Sequence, residues 1–250
     1  CYHKFKNGVV SIVFDNIVII FYVFRFFTLS KLFFSYKLFL MSDSTKETKQ
    51  KILESAKKEF LEKGFSAASL RTIASNAGLT TGAMYRHFKD KDALFCALVD
   101  DAVDFVIKAI SSTGLDFHKH ELNPVGKEHT AHEKEAISAI VDYIYSDFDA
   151  FTLLLTKSAG STHENFLQEI CDLYTKNVMV ILEWMKSQNL IKNKIDPMTV
   201  HVTATTFITS VAEIVYHKMP REEAEVFLDN MQSFFHFGYM HMMGVNCSEE

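Results

Sequence analysis

The sequence predicts an all-α protein, a small three-helix head joined to a larger helical body. Three observations carry that prediction. Apolar residues recur at helical spacing from about residue 46 to the end of the chain, with no convincing strand alternation. A breaker-rich stretch from Ser111 to Glu128, containing Gly114, Asn123, Pro124 and Gly126, divides this helical run in two. Ahead of it, residues 69–88 read SLRTIASNAGLTTGAMYRHF, two short apolar-periodic runs separated by a glycine, as a helix-turn-helix corner requires.

The head is built element by element from the same signals. Ile52, Ala56, Phe60 and Leu61 make an apolar stripe on a helix from about Lys46 to Lys63, which Gly64 ends. Leu70, Ile73, Ala74 and Ala77 then repeat at helical spacing, and Gly78 stops that helix because glycine enters the left-handed conformation without a Cβ clash. Ala74 supplies the small side chain needed where two helices cross closely. Thr80 or Thr81 caps a second short helix, Gly82 to His87, whose Ala83 and Met84 face inward. Asp90 caps a longer helix with Leu94, Phe95, Leu98 and Val99 on its buried side. A corner of this kind projects its second helix into a DNA major groove, although the same corner also occurs without any DNA role.

The run ILESAKKEFLEKGFSAASLRTIASNAGLTTGAMYRHFKDKDALF resembles the N-terminal domain of the TetR/AcrR family of one-component repressors. The likeness covers about residues 46–106, and its Gly-Phe, Ile-Ala, Ala-Gly and Tyr-x-His-Phe-x-x-Lys elements fall at the family's spacing. It implies a DNA-binding head at 46–106, with the motif at 69–88, and an effector-binding and dimerisation domain at 107–250. It also implies that Tyr85 and His87 reach phosphate oxygens, that Lys91 adds a phosphate contact at a helix N-terminus, and that Ser69 is placed for another. Base contacts would come from Thr80, Thr81, Gly82 and Arg86, with Arg71 reaching in from the preceding helix. Each has a plainer alternative: Tyr85 packing on Phe88, His87 as a satisfied surface residue. With two threonines and a glycine on the reading helix, direct readout is sparse, and DNA shape is expected to carry some specificity.

Charge is distributed as a DNA-binding head requires. The chain is −5 overall, but residues 41–95 carry 10 Lys/Arg against 7 Asp/Glu, whereas residues 96–250 carry 11 against 23. A mildly basic head on an acidic body orients approach to a polyanion. Cys1, Cys96, Cys171 and Cys247 show no paired spacing, which fits a reducing cytoplasm, and Cys96 and Cys171 read as core thiols.

Residues 1–40 differ from the rest. They hold no Ala, Glu, Gln, Pro, Trp or Met, and their longest uncharged run between Asp15 and Arg25 is nine residues, too short for a membrane helix. Their Phe, Ile, Tyr, Lys and Asn content matches AT-rich noncoding sequence read as protein, so Met41 is expected to be the true start. The other reading is a membrane-tethered regulator; no membrane partner is expected.

The body predicts helices at His132–Tyr145, Phe148–Ser158, Glu164–Gln188, Pro197–Lys218 and Arg221–Met243, with Asp196-Pro197 as a cap and first turn. Val200, Ala204, Phe207, Val211 and Val215 line one face; Phe227, Met231, Phe234, Gly238 and Met242 line another. These could be core in a monomer, but the resemblance implies a four-helix homodimer interface that lets two heads read a palindromic operator. Tyr143, Phe151, Phe166, Tyr174 and Trp184 are candidates to line the pocket of a small-molecule effector whose identity is unknown. The pairs His118/His120 and His129/His132 lack the converging ligands of a metal site, and Glu164, Glu169 and Asp172 read as a solvated face. No cofactor, metal or catalytic residue is expected, since no nucleophile motif, phosphate loop or H-E-x-x-H is present. The expected function is a repressor that its effector releases from DNA. The alternatives are a regulator without an effector and a module whose corner contacts protein.

Overall fold

A computed structural model of the chain describes residues 43–115, 141–187, 189, 191 and 193–244. Among them the regular elements are α1 (Asp43–Ala67), α2 (Leu70–Asn76), α3 (Thr81–Met84), α4 (Lys91–Leu115), α5 (Phe148–Thr152), a π-helical turn (Leu153–Lys157), α6 (Phe166–Ser187), α7 (Pro197–Tyr216) and α8 (Arg221–Met242). Residues 141–146 are also helical, and no described residue lies in a strand. The proposed start at Met41 and the composition of residues 1–40 fall outside the described residues, as do both His pairs between 118 and 132.

The described residues fall into two compact units, one holding 43–105 and 146–167, the other the described parts of 106–145 and 168–244. In the first unit, Ile52, Phe60, Ile73, Leu94 and Phe95 are fully excluded from solvent. Phe60, Phe65 and Phe95 meet as a triad, with both contacts to Phe95 edge-to-face at 5.2 and 5.4 Å. Burying each such ring is worth up to about 3 kcal/mol, with about 0.5–1.5 kcal/mol more from the aromatic geometry. Gly64 does adopt the left-handed conformation, at φ 75°, but the chain then makes one further turn to Ala67.

The periodicity predicts one body helix over Phe148–Ser158. Instead α5 is short, capped by the Asp147 carboxylate accepting from the Ala150 amide at 3.2 Å, and runs into the π turn. Leu153 and Leu154 of that turn are buried in the same unit as α1, where Lys57 also pairs with Asp149 at 3.2 Å.

In the second unit, Asp196 caps α7 by accepting from the Thr199 amide at 3.0 Å, with Pro197 in the first turn. Tyr174, Phe207, Phe235 and Tyr239 form an aromatic chain, with the Phe207 and Phe235 rings edge-to-face at 5.3 Å. Val200, Ala204, Phe207 and Val215 are buried here. On α8 the buried positions are Ala224, Leu228, Gln232, Phe235 and Tyr239, with Met243 buried just after its end, one residue round from the apolar face read in the sequence. Of that face Phe227, Met231 and Met242 are half-buried, while Phe234, 68% exposed, and Gly238 are exposed, as are Val226 and Phe237. α7 has the length and apolarity to cross a membrane, but it carries seven buried residues within its unit and three threonines, Thr203, Thr206 and Thr209, whose hydroxyls donate to carbonyls of their own helix.

Candidate nucleic-acid interface

The corner is held by bonds that local chemistry dictates. Ser69 caps α2, its hydroxyl accepting from the Thr72 amide at 3.3 Å, and Thr80 caps α3 by accepting from the Ala83 amide at 3.2 Å. Gly78 sits at φ 73° between them, and the Leu79 amide donates back to the Ala74 carbonyl at 2.9 Å. From α1, the buried Ser55 hydroxyl donates to the Ile73 carbonyl at 2.9 Å. Ala74 is 1% exposed at this crossing, which leaves no room for a larger side chain.

The α-helical part of the second helix is one turn, Thr81–Met84, shorter than the expected Gly82 to His87; beyond it, tighter bonds such as His87 amide to Met84 carbonyl at 2.9 Å continue the coil. Met84 is its single buried residue. The remaining candidates lie outward: Thr80, Gly82, Tyr85 and Arg86 are exposed, with Arg71 exposed on α2, and Thr81, His87 and Ser69 are half-buried. Tyr85, 49% exposed, does not use its ring as core. At Gly82 an added Cβ would meet no atom within 4 Å, so packing does not demand glycine there.

Lys91 has a role the sequence did not reveal. Its ammonium donates to the carbonyls of Ser66 and Ala68, at 3.0 and 3.1 Å, and lies 4.8 Å from the Phe65 ring centre. It therefore satisfies carbonyls left open where α1 ends. An ammonium has three N–H donors, and these two carbonyls take two of them.

Glu59 is the other residue that sequence reasoning missed. It is 4% exposed, accepts from the Ser69 amide at 3.0 Å and pairs with Lys63 at 3.0 Å. Burial pushes its pKa up, but the Ser69 amide and Lys63 outweigh this and hold it below the usual carboxylate value. A carboxylate one turn from the end of a helix usually reads as solvated surface; here it orients the residue that caps α2.

The effector candidates are not gathered in one unit. Phe151 and Phe166 are buried in the unit that contains the corner; Tyr174 is buried and Tyr143 half-buried in the other. The Trp184 side chain lies outside the described residues. Tyr174 sits beside Phe207, and the buried oxygens Thr175 Oγ1 and Gln232 Oε1 have no hydrogen-bond partner among the described residues of that unit. Cys171 is buried as expected of a core thiol, whereas Cys96 is only half-buried; desolvation and the nearby Asp92 and Asp100 push its thiol up to about 11.

Residues 52–98 match the family model for bacterial regulatory proteins of the tetR family. An HTH-type transcriptional regulator of Staphylococcus aureus is 29% identical over 140 residues, covering 54% of this chain and 69% of the relative. The HTH-type transcriptional repressor AcnR of Corynebacterium efficiens is 34% identical over 73 residues, 29% of this chain and 39% of that protein. Among solved structures, Salmonella enterica GusR superposes with a TM-score of 0.50 at 16% identity, covering 82% of this chain and 98% of that one, a likeness of fold.

Proposed function

We propose that the chain, whose residues 52–98 match the family model for bacterial regulatory proteins of the tetR family, is a transcriptional regulator of that family: a cytoplasmic homodimeric repressor, released from a palindromic operator by a small-molecule effector. The observation that carries the DNA-binding part is the division of the second helix and its flanks: Met84 is buried, whereas Thr80, Gly82, Tyr85 and Arg86 are exposed. Tyr85, His87, Ser69 and the third donor of Lys91 grip phosphates, and Arg86, Thr80, Thr81 and Gly82 face base edges with Arg71 beside them.

The outward face of α8 supports the dimer. Val226, Phe234 and Phe237 are each more than half exposed, with Met198 and Val202 of α7 similarly exposed. Large apolar residues clustered on helices of this length mark an interface. A second copy would bury them, and a dimer supplies the two heads that two half-sites require. The effector reading rests on the aromatic chain through Tyr174 and on Thr175 Oγ1 and Gln232 Oε1, buried in the same unit with no hydrogen-bond partner among the described residues. The effector must bind the state that does not fit DNA more tightly than the state that does, since equal affinity shifts nothing.

The test is an electrophoretic shift on DNA upstream of the chain's own gene, over a series of salt concentrations. A repressor binds with an affinity that falls linearly in log–log salt. A module whose corner contacts protein shows no DNA affinity at any salt.

A further inference from the structure

We propose that Cys96, Asp100 and His163 form a binding site for a zinc-class divalent transition-metal ion, in the same compact unit as the DNA-reading corner. Their ligand atoms, one thiol sulfur, one carboxylate oxygen and one imidazole nitrogen, all lie within 4.8 Å of one another. His163 Nε2 is already 3.2 Å from Asp100 Oδ1.

The arrangement is built rather than incidental. Cys96 and Asp100 are one helical turn apart on α4, so both side chains leave the same face. One turn earlier on that face, Asp92 accepts from the Thr162 amide at 2.8 Å and also from the Thr162 hydroxyl. These bonds pin the turn before α6 to α4 and deliver the next residue, His163, over the step between Cys96 and Asp100. Both Asp92 oxygens are occupied, one of them also facing Cys96 Sγ at 3.8 Å, so Asp92 positions the site and is not itself a ligand.

Donor chemistry selects the ion. Thiolate and imidazole together favour zinc, cobalt and nickel over magnesium and calcium, which take oxygen. Bonds of about 2.0–2.3 Å in a tetrahedron place donor atoms about 3.3–3.8 Å apart. Closing the widest gap therefore needs a shift of about 1–1.5 Å, within reach of side-chain rotation at half-exposed Cys96 and exposed Asp100. Three protein ligands leave a fourth position for water. The carboxylates of Asp92 and Asp100 offset the charge of the cation.

The experiment is a Co(II) titration of the full chain, followed by absorption. The expected result is saturation near one equivalent with a near-ultraviolet thiolate-to-cobalt charge-transfer band, bleached by Zn(II) but not by Mg(II). Cys96→Ser abolishes that band, and His163→Gln and Asp100→Asn each weaken binding at least about tenfold. Zn(II) also raises the thermal midpoint of the wild-type chain, a readout that depends on no variant. The proposal is overturned if the wild type shows no charge-transfer band, if the band survives Cys96→Ser, or if Cys171→Ser removes it instead. Histidines elsewhere that bind cobalt leave the band absent and count against it equally.

Discussion

α3 is four residues long and cannot hold itself together, because a single helical turn costs more conformational entropy than its few hydrogen bonds return. Its placement depends on Met84, its single buried residue at 1% exposed, and on the Thr80 cap. Replacing Met84 with alanine removes most of a fully buried side chain, at a cost of about 2–5 kcal/mol. Since α3 can detach without unfolding the Phe60–Phe65–Phe95 triad, the lower end of that range, about 2–3 kcal/mol, should appear as local opening. That corresponds to about 30- to 160-fold faster hydrogen exchange at the Met84, Tyr85 and Phe88 amides, which bond to carbonyls within the same coil. Thr80→Ala, the loss of a cap worth about 1 kcal/mol, gives only about fivefold. Amide exchange read by NMR or mass spectrometry measures both. If Met84→Ala exchanges no faster than Thr80→Ala, Met84 does not anchor the reading helix.

Four further outcomes follow from particular contacts. Glu59 has its folded pKa below the ordinary 4.5, so its contribution is complete above that value and is lost as pH falls through the lower folded value; Glu59→Gln should flatten this acid limb of the stability-against-pH curve. Lys91→Ala should cost about 1–3 kcal/mol in urea denaturation, by leaving two carbonyls without their donor, and should reduce the salt slope of DNA binding by about one; an unchanged midpoint refutes the cap, an unchanged slope the phosphate contact. Gly82→Ala should leave stability equal or raised by up to about 1 kcal/mol yet weaken DNA affinity, as measured by anisotropy, if the backbone there approaches the bases closely. Phe234→Glu, at a position 68% exposed, should preserve the circular dichroism spectrum and convert a dimer to a monomer in sedimentation.

Much of the head was legible because its signals are local. Ser69, Thr80, Asp90 and Asp196 all act as the caps their side chains suggest, since a cap and the amide it accepts from lie three residues apart. Gly64 and Gly78 both take the left-handed conformation that their positions after apolar runs foretell. The outward direction of Tyr85, Arg86 and Arg71 follows from the same periodicity that turns Met84 and Ile73 inward. The buried face of α8 was not legible in this way. Both of its faces are apolar, so a period of 3.6 cannot distinguish Leu228, Phe235 and Tyr239, which are buried, from Phe227, Phe234 and Met242, which lie a residue away.

What the sequence determined by itself, then, is the all-helical class, the capped corner and the identity of the residues that corner presents, because these depend on neighbours within a turn or two. Tertiary structure alone decided the rest. It seated residues 146–167 in the unit of the corner, turned Lys91 onto the carbonyls of Ser66 and Ala68, and brought His163 to Asp100 across 63 residues of chain. Those contacts join segments whose separation carries no periodic signal, so their existence depends on how helices pack and not on any pattern along one of them.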